Sequence, residues 1–152
     1  MVRVRPYKAE DQETVVTLWW ASWHSIRAGL RHPQSFSEWR TRWATEIATA
    51  QEIVVAEDQG IIVGFAAADV SANELTQIFI APSHKRQGLG RRLLAWAQQV
   101  MPDGFRLHTL TDNVASQAFC EELGLAAGGE TINPVNGMST REYRWKPSTA
   151  GR

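Results

Sequence analysis

The sequence predicts a single α/β domain of the α+β type, in which a mixed sheet of about seven strands carries about four helices. Three observations lead there. Apolar runs that alternate every second residue are interleaved along the chain with runs that recur every third or fourth residue, the periods of strand and helix. Residues 75–94 read LTQIFIAPSHKRQGLGRRLL, a strand, a glycine-containing basic turn and a helix with no spare residues between them. The length of 152 residues is enough to bury roughly two thirds of the unfolded surface around one core, so one domain is expected over 1–147, with a short tail over 148–152.

The elements follow in order. Val2 to Arg5 alternates apolar and basic residues before Pro6, which lacks the amide a ladder needs, and reads as a short strand. From Glu10 the period lengthens: Val15, Leu18, Trp19, Ser22, Trp23 and Ile26 make one face of a helix expected to end near Gly29. After the connection around Pro33, Phe36, Trp39, Trp43 and Ile47 mark a second helix to about Ala50. Glu52 to Glu57 and Ile61 to Val70 are β-branched runs around Asp58, Gln59 and Gly60, a hairpin signal. Leu75 to Ala81 is a strand stopped by Pro82, Gly90 to Met101 a helix, Phe105 to Thr111 a strand, and Val114 to Leu123 a helix ended by Gly124. Leu125 to Trp145 reads as two strands joined around Pro134 to Gly137.

Composition narrows the function. Lys plus Arg and Asp plus Glu number 16 each, so no global field draws the chain to nucleic acid or an anionic membrane, and any anion site must be local. The longest apolar run, Ile61 to Ala68, is far too short to span a bilayer. One cysteine, Cys120, excludes an internal disulfide, and residues 1–12 carry charges where a signal peptide needs an apolar stretch, so the cytoplasm is the expected compartment. His24, His32, His84 and His108 show no ligand spacing with Cys120, and no metal is expected.

The anion site is expected at Lys85, Arg86, Gln87, Gly88, Gly90 and Arg91. Gly88 and Gly90 let the main chain approach an anion without Cβ obstruction, and the helix that follows offers unpaired N–H groups and the positive end of its dipole. Lys85, Arg86 and Arg91 add charge; Arg92 reads as a solvated helix residue. A pyrophosphate fits such a turn. There is no GxxxxGK[ST], and Leu93 stands where GxGxxG requires its third glycine, so both common nucleotide loops are disfavoured.

This segment resembles the acyl-CoA signature of the GCN5-related N-acetyltransferase (GNAT) superfamily: Arg or Gln, two residues, Gly, one residue, Gly or Ala. Gly88 and Gly90 match, while Lys85 stands in the Arg or Gln position, keeping charge but losing the planar group. Residues 113–125, NVASQAFCEELGL, are similar to the family's later helix, and the order of elements matches over nearly the whole chain. The resemblance implies the GNAT fold, with splayed strands at a cofactor cleft, acetyl-CoA as co-substrate and an amine acceptor. It implies that the main chain at Ile78, Phe79 and Ile80 binds the acyl carbonyl and pantetheine, and that Asn113 and Ser116 touch the cofactor, although Asn113 also suits a helix cap.

Direct transfer needs a neutral amine, so a group must take its proton. Glu74 is the first candidate. Four residues before Ile78, it falls on the same nominal strand face at about 13 Å, a span that calls for a water relay unless a bulge intervenes; an exposed strand-start carboxylate is the alternative. Asp69 and His84 are reserves. Cys120 stands where many family members place a tyrosine acid, and is either a proton donor to the departing thiolate or a small packing residue. The resemblance puts the two early helices over the acceptor. Trp19, Trp23, Trp39 and Trp43 follow helical spacing and read as core, whereas Trp20, with His24, Arg27, Arg31 and His32, is expected to line an acceptor pocket or a homodimer surface. The expected function is N-acetylation of a small-molecule amine; peptide or protein N-terminal acetylation, or a catalytically weak acyl-CoA-binding regulatory module, are the alternatives.

Overall fold

The computed structural model describes residues 1–148, so 149–152 of the expected tail lie outside the described residues. Seven strands form one open sheet: β1 (Val2–Pro6), β2 (Glu52–Asp58), β3 (Ile61–Asp69), β4 (Glu74–Ile80), β5 (Phe105–Leu110), β6 (Ala126–Ile132) and β7 (Ser139–Trp145), in the order β1-β2-β3-β4-β5-β7-β6. Every neighbouring pair is antiparallel except β4 with β5. Four α-helices accompany it: α1 (Gln12–His24), α2 (Phe36–Arg42), α3 (Leu89–Val100) and α4 (Val114–Glu122). The β2–β3 hairpin closes through Gln59 and Gly60, both at positive φ (52° and 82°), the left-handed pair that suits a two-residue turn between twisted strands.

Because side chains alternate across a strand, each face of the sheet builds its own core. On one face Phe65 and Ala67 pack with Val15, Trp19, Trp39 and Trp43 of the early helices. On the other Ala66 and Ala68 pack with Leu75, Leu93, Ala97, Cys120 and Tyr143. The start of α1 is docked to the sheet edge by Arg5, whose guanidinium meets both oxygens of the buried Asp11 at 2.9 Å and Glu57 at 2.9 Å.

Two helices depart from expectation. α1 ends at His24 rather than near Gly29, because 25–30 turn back on themselves through hydrogen bonds such as Leu30 N–H to the Arg27 carbonyl. α2 is regular only to Arg42; Trp43 to Ile47 forms a wider turn in which Ala48 N–H reaches the Trp43 carbonyl five residues back.

The sheet opens between β4 and β5. Their ladder has one rung, Glu74 opposite Arg106, reinforced by Arg106 N–H to the Asn73 carbonyl (2.9 Å) and by the Arg106 side chain to the Ala72 carbonyl (3.1 Å). Beyond that rung the strands diverge. Just there β4 carries a bulge: Ala67 faces Gln77 and Ala68 faces Leu75, leaving Thr76 unmatched. The Thr76 hydroxyl lies 2.5 Å from Gln51 Oε1 and 3.2 Å from the Ala67 carbonyl. A bulge sharpens local twist, which is the physical reason β4, paired to β3 on both sides of Thr76, peels away from β5.

Candidate active site

The bulge also decides which groups share a face. Leu75 packs with Ile78 and Ile80 in the α3 core, an odd spacing that only an extra residue allows, so Glu74 falls on the Phe79 side. The expected common face of Glu74 and Ile78 is therefore corrected: Glu74 looks toward the tryptophan-bearing helices. Ala81 N–H pairs with the Val63 carbonyl at 2.8 Å. By the alternation of an antiparallel ladder, Phe79 then points its main-chain groups at β3, while Ile78 and Ile80 aim theirs into the opening.

That opening is a cavity of about 380 Å³. Its walls are β4 and β5, the early helices, and the end of β6 with the connection that follows it, 131–136. Glu74 Oε1 lies 3.3 Å from Arg106 Nη2, and Oε2 lies 3.9 Å from His108 Nδ1. The other nitrogen of His108 is 3.7 Å from Glu142 Oε2, so an imidazole stands between two carboxylates across the fork. The buried Thr109 hydroxyl on the same wall has no hydrogen-bond partner among the described residues. Asn113 and Ser116 close the β5 side: Asn113 Oδ1 accepts the Ser116 N–H at 3.1 Å, so Asn113 both caps α4 and lines the cavity.

The basic turn lies at the far end of β4. Arg86 and Gly88 take positive φ (64° and 78°), and Gly88 caps α3 with open space where a Cβ would stand. The first intrahelical bond, Arg92 N–H to the Gly88 carbonyl at 3.2 Å, leaves the amides ahead of it free of that ladder. Lys85, Arg86 and Gln87 are exposed there; Arg91 meets Glu122 at 3.2 Å, and Arg92 donates to the Val2 carbonyl at 2.9 Å. Gly90 is different from its expected part. A Cβ on it would stand 2.9 Å from the Phe119 ring, so its missing side chain lets α3 pack against α4.

Cys120 does not reach the cavity. It is 2% exposed in the α3 core, and burial pushes its thiol up to about 12, with Glu121 adding to the effect. Four of the five residues expected on an acceptor pocket or dimer surface do not line this cavity. Trp20 packs on Phe36 and Trp39; Arg27 pairs with Asp112 at 2.8 Å; Arg31 is exposed. His24 is held inside its own turn, Nδ1 donating to the Trp20 carbonyl (2.8 Å) and Nε2 accepting the His32 N–H (3.3 Å). The helical side of the cavity instead comprises Trp19, Trp23, Ile26, His32, Trp39 and Arg42. His32 belongs to the expected group, but Arg42 and His108 carry no signal in the sequence, since only folding brings them to one hollow.

A sequence model of the Acetyltransferase (GNAT) family matches residues 13–125. The chain belongs to that family. Among solved structures, the GNAT fold recurs in a GCN5-related N-acetyltransferase from Rhodopseudomonas palustris, 18% identical over 95% of each chain with a TM-score of 0.76. PaiA N-acetyltransferase from Thermoplasma acidophilum, solved in complex with coenzyme A, is 19% identical over 95% of this chain and 99% of its own, with a TM-score of 0.72. The ribosomal-protein-S18-alanine N-acetyltransferase of Escherichia coli is 19% identical over 100% and 97%, with a TM-score of 0.71. No curated protein sequence matches. GNAT membership supports acetyl-CoA-dependent acetyl transfer as the activity class. No helix among the described residues is long and apolar enough to cross a membrane.

Proposed function

We propose that this GNAT chain transfers the acetyl group of acetyl-CoA directly to a primary amine on a small molecule, with Glu74 as the proton acceptor. The observation that carries the reading is the one-rung fork: it leaves the Ile78 and Ile80 main-chain groups open on one side of the thioester path and sets Glu74 at the closed end. The residues fit the co-substrate. Amides ahead of Arg92 and the exposed Lys85 and Arg86 suit a pyrophosphate, Gln87 extends that turn, and a slot between strands suits a pantetheine arm. Acetyl-CoA supplies an electrophilic thioester carbonyl when bound. The amine approaches from the helical side and gives its proton toward Glu74. His108 and Glu142 continue the route outward, at separations that a water spans rather than a direct bond. A hollow of about 380 Å³ enclosed on three sides favours a compact acceptor over an extended peptide.

The test is thiol release from acetyl-CoA over an amine panel, together with CoA affinity by calorimetry. Glu74→Gln is expected to lower kcat on the order of 10²-fold with CoA affinity retained. Undiminished turnover would remove Glu74 as base. Tight CoA binding without transfer to any amine would favour the regulatory-module reading, and a folded chain that binds no CoA would sink both.

A further inference from the structure

The acceptor cavity has a cation facing it that the acetyl-transfer chemistry does not use. Arg42, the last residue of α2, lines the cavity with its side chain only 25% exposed. Nη1 donates to Gln34 Oε1 at 2.9 Å, and Nε lies 3.6 Å from Glu46, a carboxylate that is itself mostly in solvent. Among the described residues Nη2 has no hydrogen-bond partner. The guanidinium lies 5.4 Å from the Trp19 ring centre and 6.0 Å from that of Trp39, so aromatic faces hold it in place. Burial pulls Arg42 below its ordinary value, the mark of a charge that its surroundings under-compensate.

His32, on the same wall, supplies a second donor. Its Nδ1 accepts two hydrogen bonds, from the Gln34 amide at 3.0 Å and the Trp39 indole at 3.2 Å. A nitrogen that accepts carries no proton, so in the neutral ring the hydrogen resides on Nε2. Nε2 has no partner among the described residues. The helical wall therefore presents a guanidinium edge and an imidazole N–H. Across the hollow the strand wall presents Glu74, the sole carboxylate lining it among the described residues.

Resting on the acetyltransferase reading above, we propose that the acceptor is an amino acid-like zwitterion whose carboxylate is held by Arg42 and the Nε2–H of His32 while its amine points to Glu74. A guanidinium whose Nη2 is unpartnered matches a carboxylate better than any neutral group, and an acceptor bearing only positive charge would meet Arg42 as a like charge.

The experiment compares free amino acids with their own amides and with the decarboxylated amines, in acetyl transfer and in quenching of tryptophan fluorescence, since Trp19, Trp23 and Trp39 line the cavity. At least one acid is expected to exceed its amide by roughly tenfold or more in kcat/KM, and Arg42→Gln to bring that ratio to about one, mainly through KM; Arg42→Lys should recover part of it. Dipeptides distinguish a free amino acid from a peptide C-terminus as the source of the carboxylate. Amides turned over as well as acids, or a preference that survives Arg42→Gln, would overturn the proposal. If no amine is acetylated, the acetyltransferase reading fails on its own, and quenching by acids that Arg42→Gln abolishes would still uphold the carboxylate site. Absence of quenching by every acid would remove it.

Discussion

The basic turn at residues 85–91 and the wall of the cavity between β4 and β5 are built on opposite principles. The turn is made of consecutive residues and offers main-chain amides, so its geometry is set by the left-handed Arg86 and Gly88 and by where α3 begins. The wall is assembled from α1, α2, β4, β5 and the β6–β7 connection, and it works through side chains held by one another. A site of the first kind is expected to tolerate exchange of its charged side chains, since Lys85 in the place of Arg or Gln leaves the main-chain amides where they are. In a site of the second kind, each member depends on the partner that orients it, as His32 depends on Trp39.

The sharpest way to test this contrast lies within the turn itself, at its two glycines. A Cβ on Gly90 meets the Phe119 ring at 2.9 Å, whereas one on Gly88 meets nothing within 4 Å but must adopt φ of 78°. Gly90→Val is expected to cost about 3 kcal/mol, the upper range for overpacking, and to lower the melting temperature accordingly. Gly88→Val is expected to cost about 1–2 kcal/mol of backbone strain while weakening CoA more than ten-fold, because the turn must reshape. Calorimetric melting with CoA titration separates the two. Equal melting of both variants would remove the division of labour between close packing and backbone shape.

What the sequence revealed follows the same line. Strands, helices and the turn are local, so the periods at 15–26 and 75–94 and the Gln59-Gly60 hairpin signal mark these elements, although α1 stops at His24, short of its expected end. The bulge at Thr76 is not local. Nothing in LTQIF announces an extra residue, since the unmatched position depends on the register that β3 imposes, and so strand alternation alone puts Glu74 on the wrong face. Of the residues expected on an acceptor pocket or dimer surface only His32 lines the cavity, for a related reason. Helical spacing does separate Trp20 from the Trp19 and Trp23 stripe, but off-stripe does not mean cavity-facing: the stripe itself reaches the hollow, and Trp20 packs on Phe36. Arg42 and His108 carry no motif, and no periodicity pairs an imidazole with a guanidinium from a different element.

The side-chain dependence of the wall predicts a pH signature that the turn lacks. Burial first, then the charge of Arg42, pulls His32 from 6.5 to about 4. Between those values the unfolded chain binds a proton at this residue and the folded chain does not, so stability falls as pH drops from 6.5 toward 4. The lowered carboxylates of Asp11 and Asp58 act in a different window, losing their contribution only below about pH 4, where the unfolded groups protonate. Melting followed from pH 6.5 to pH 5 lies above that carboxylate window, and comparison with a His32 variant separates this imidazole from the other three histidines. His32→Asn is expected to flatten that slope, and a slope identical to that of the unaltered protein would show that protonation of His32 is not resisted by the fold.

The smallest expected effect concerns Cys120, and its smallness is informative. A proton donor for the departing thiolate must reach the sulfur, yet this thiol is sealed between α4 and the sheet, and a group pushed up to about 12 is a poor acid toward a thiol of ordinary value near 8.5. Cys120→Ala should therefore cost about 1 kcal/mol of packing and leave kcat within twofold, because the thiolate departs without side-chain help and picks up its proton from water. Both quantities are needed. A tenfold fall in kcat in a variant that melts and binds CoA normally would give the thiol a chemical part after all, and would require α4 to shift and admit the cofactor sulfur to a place the packed structure closes.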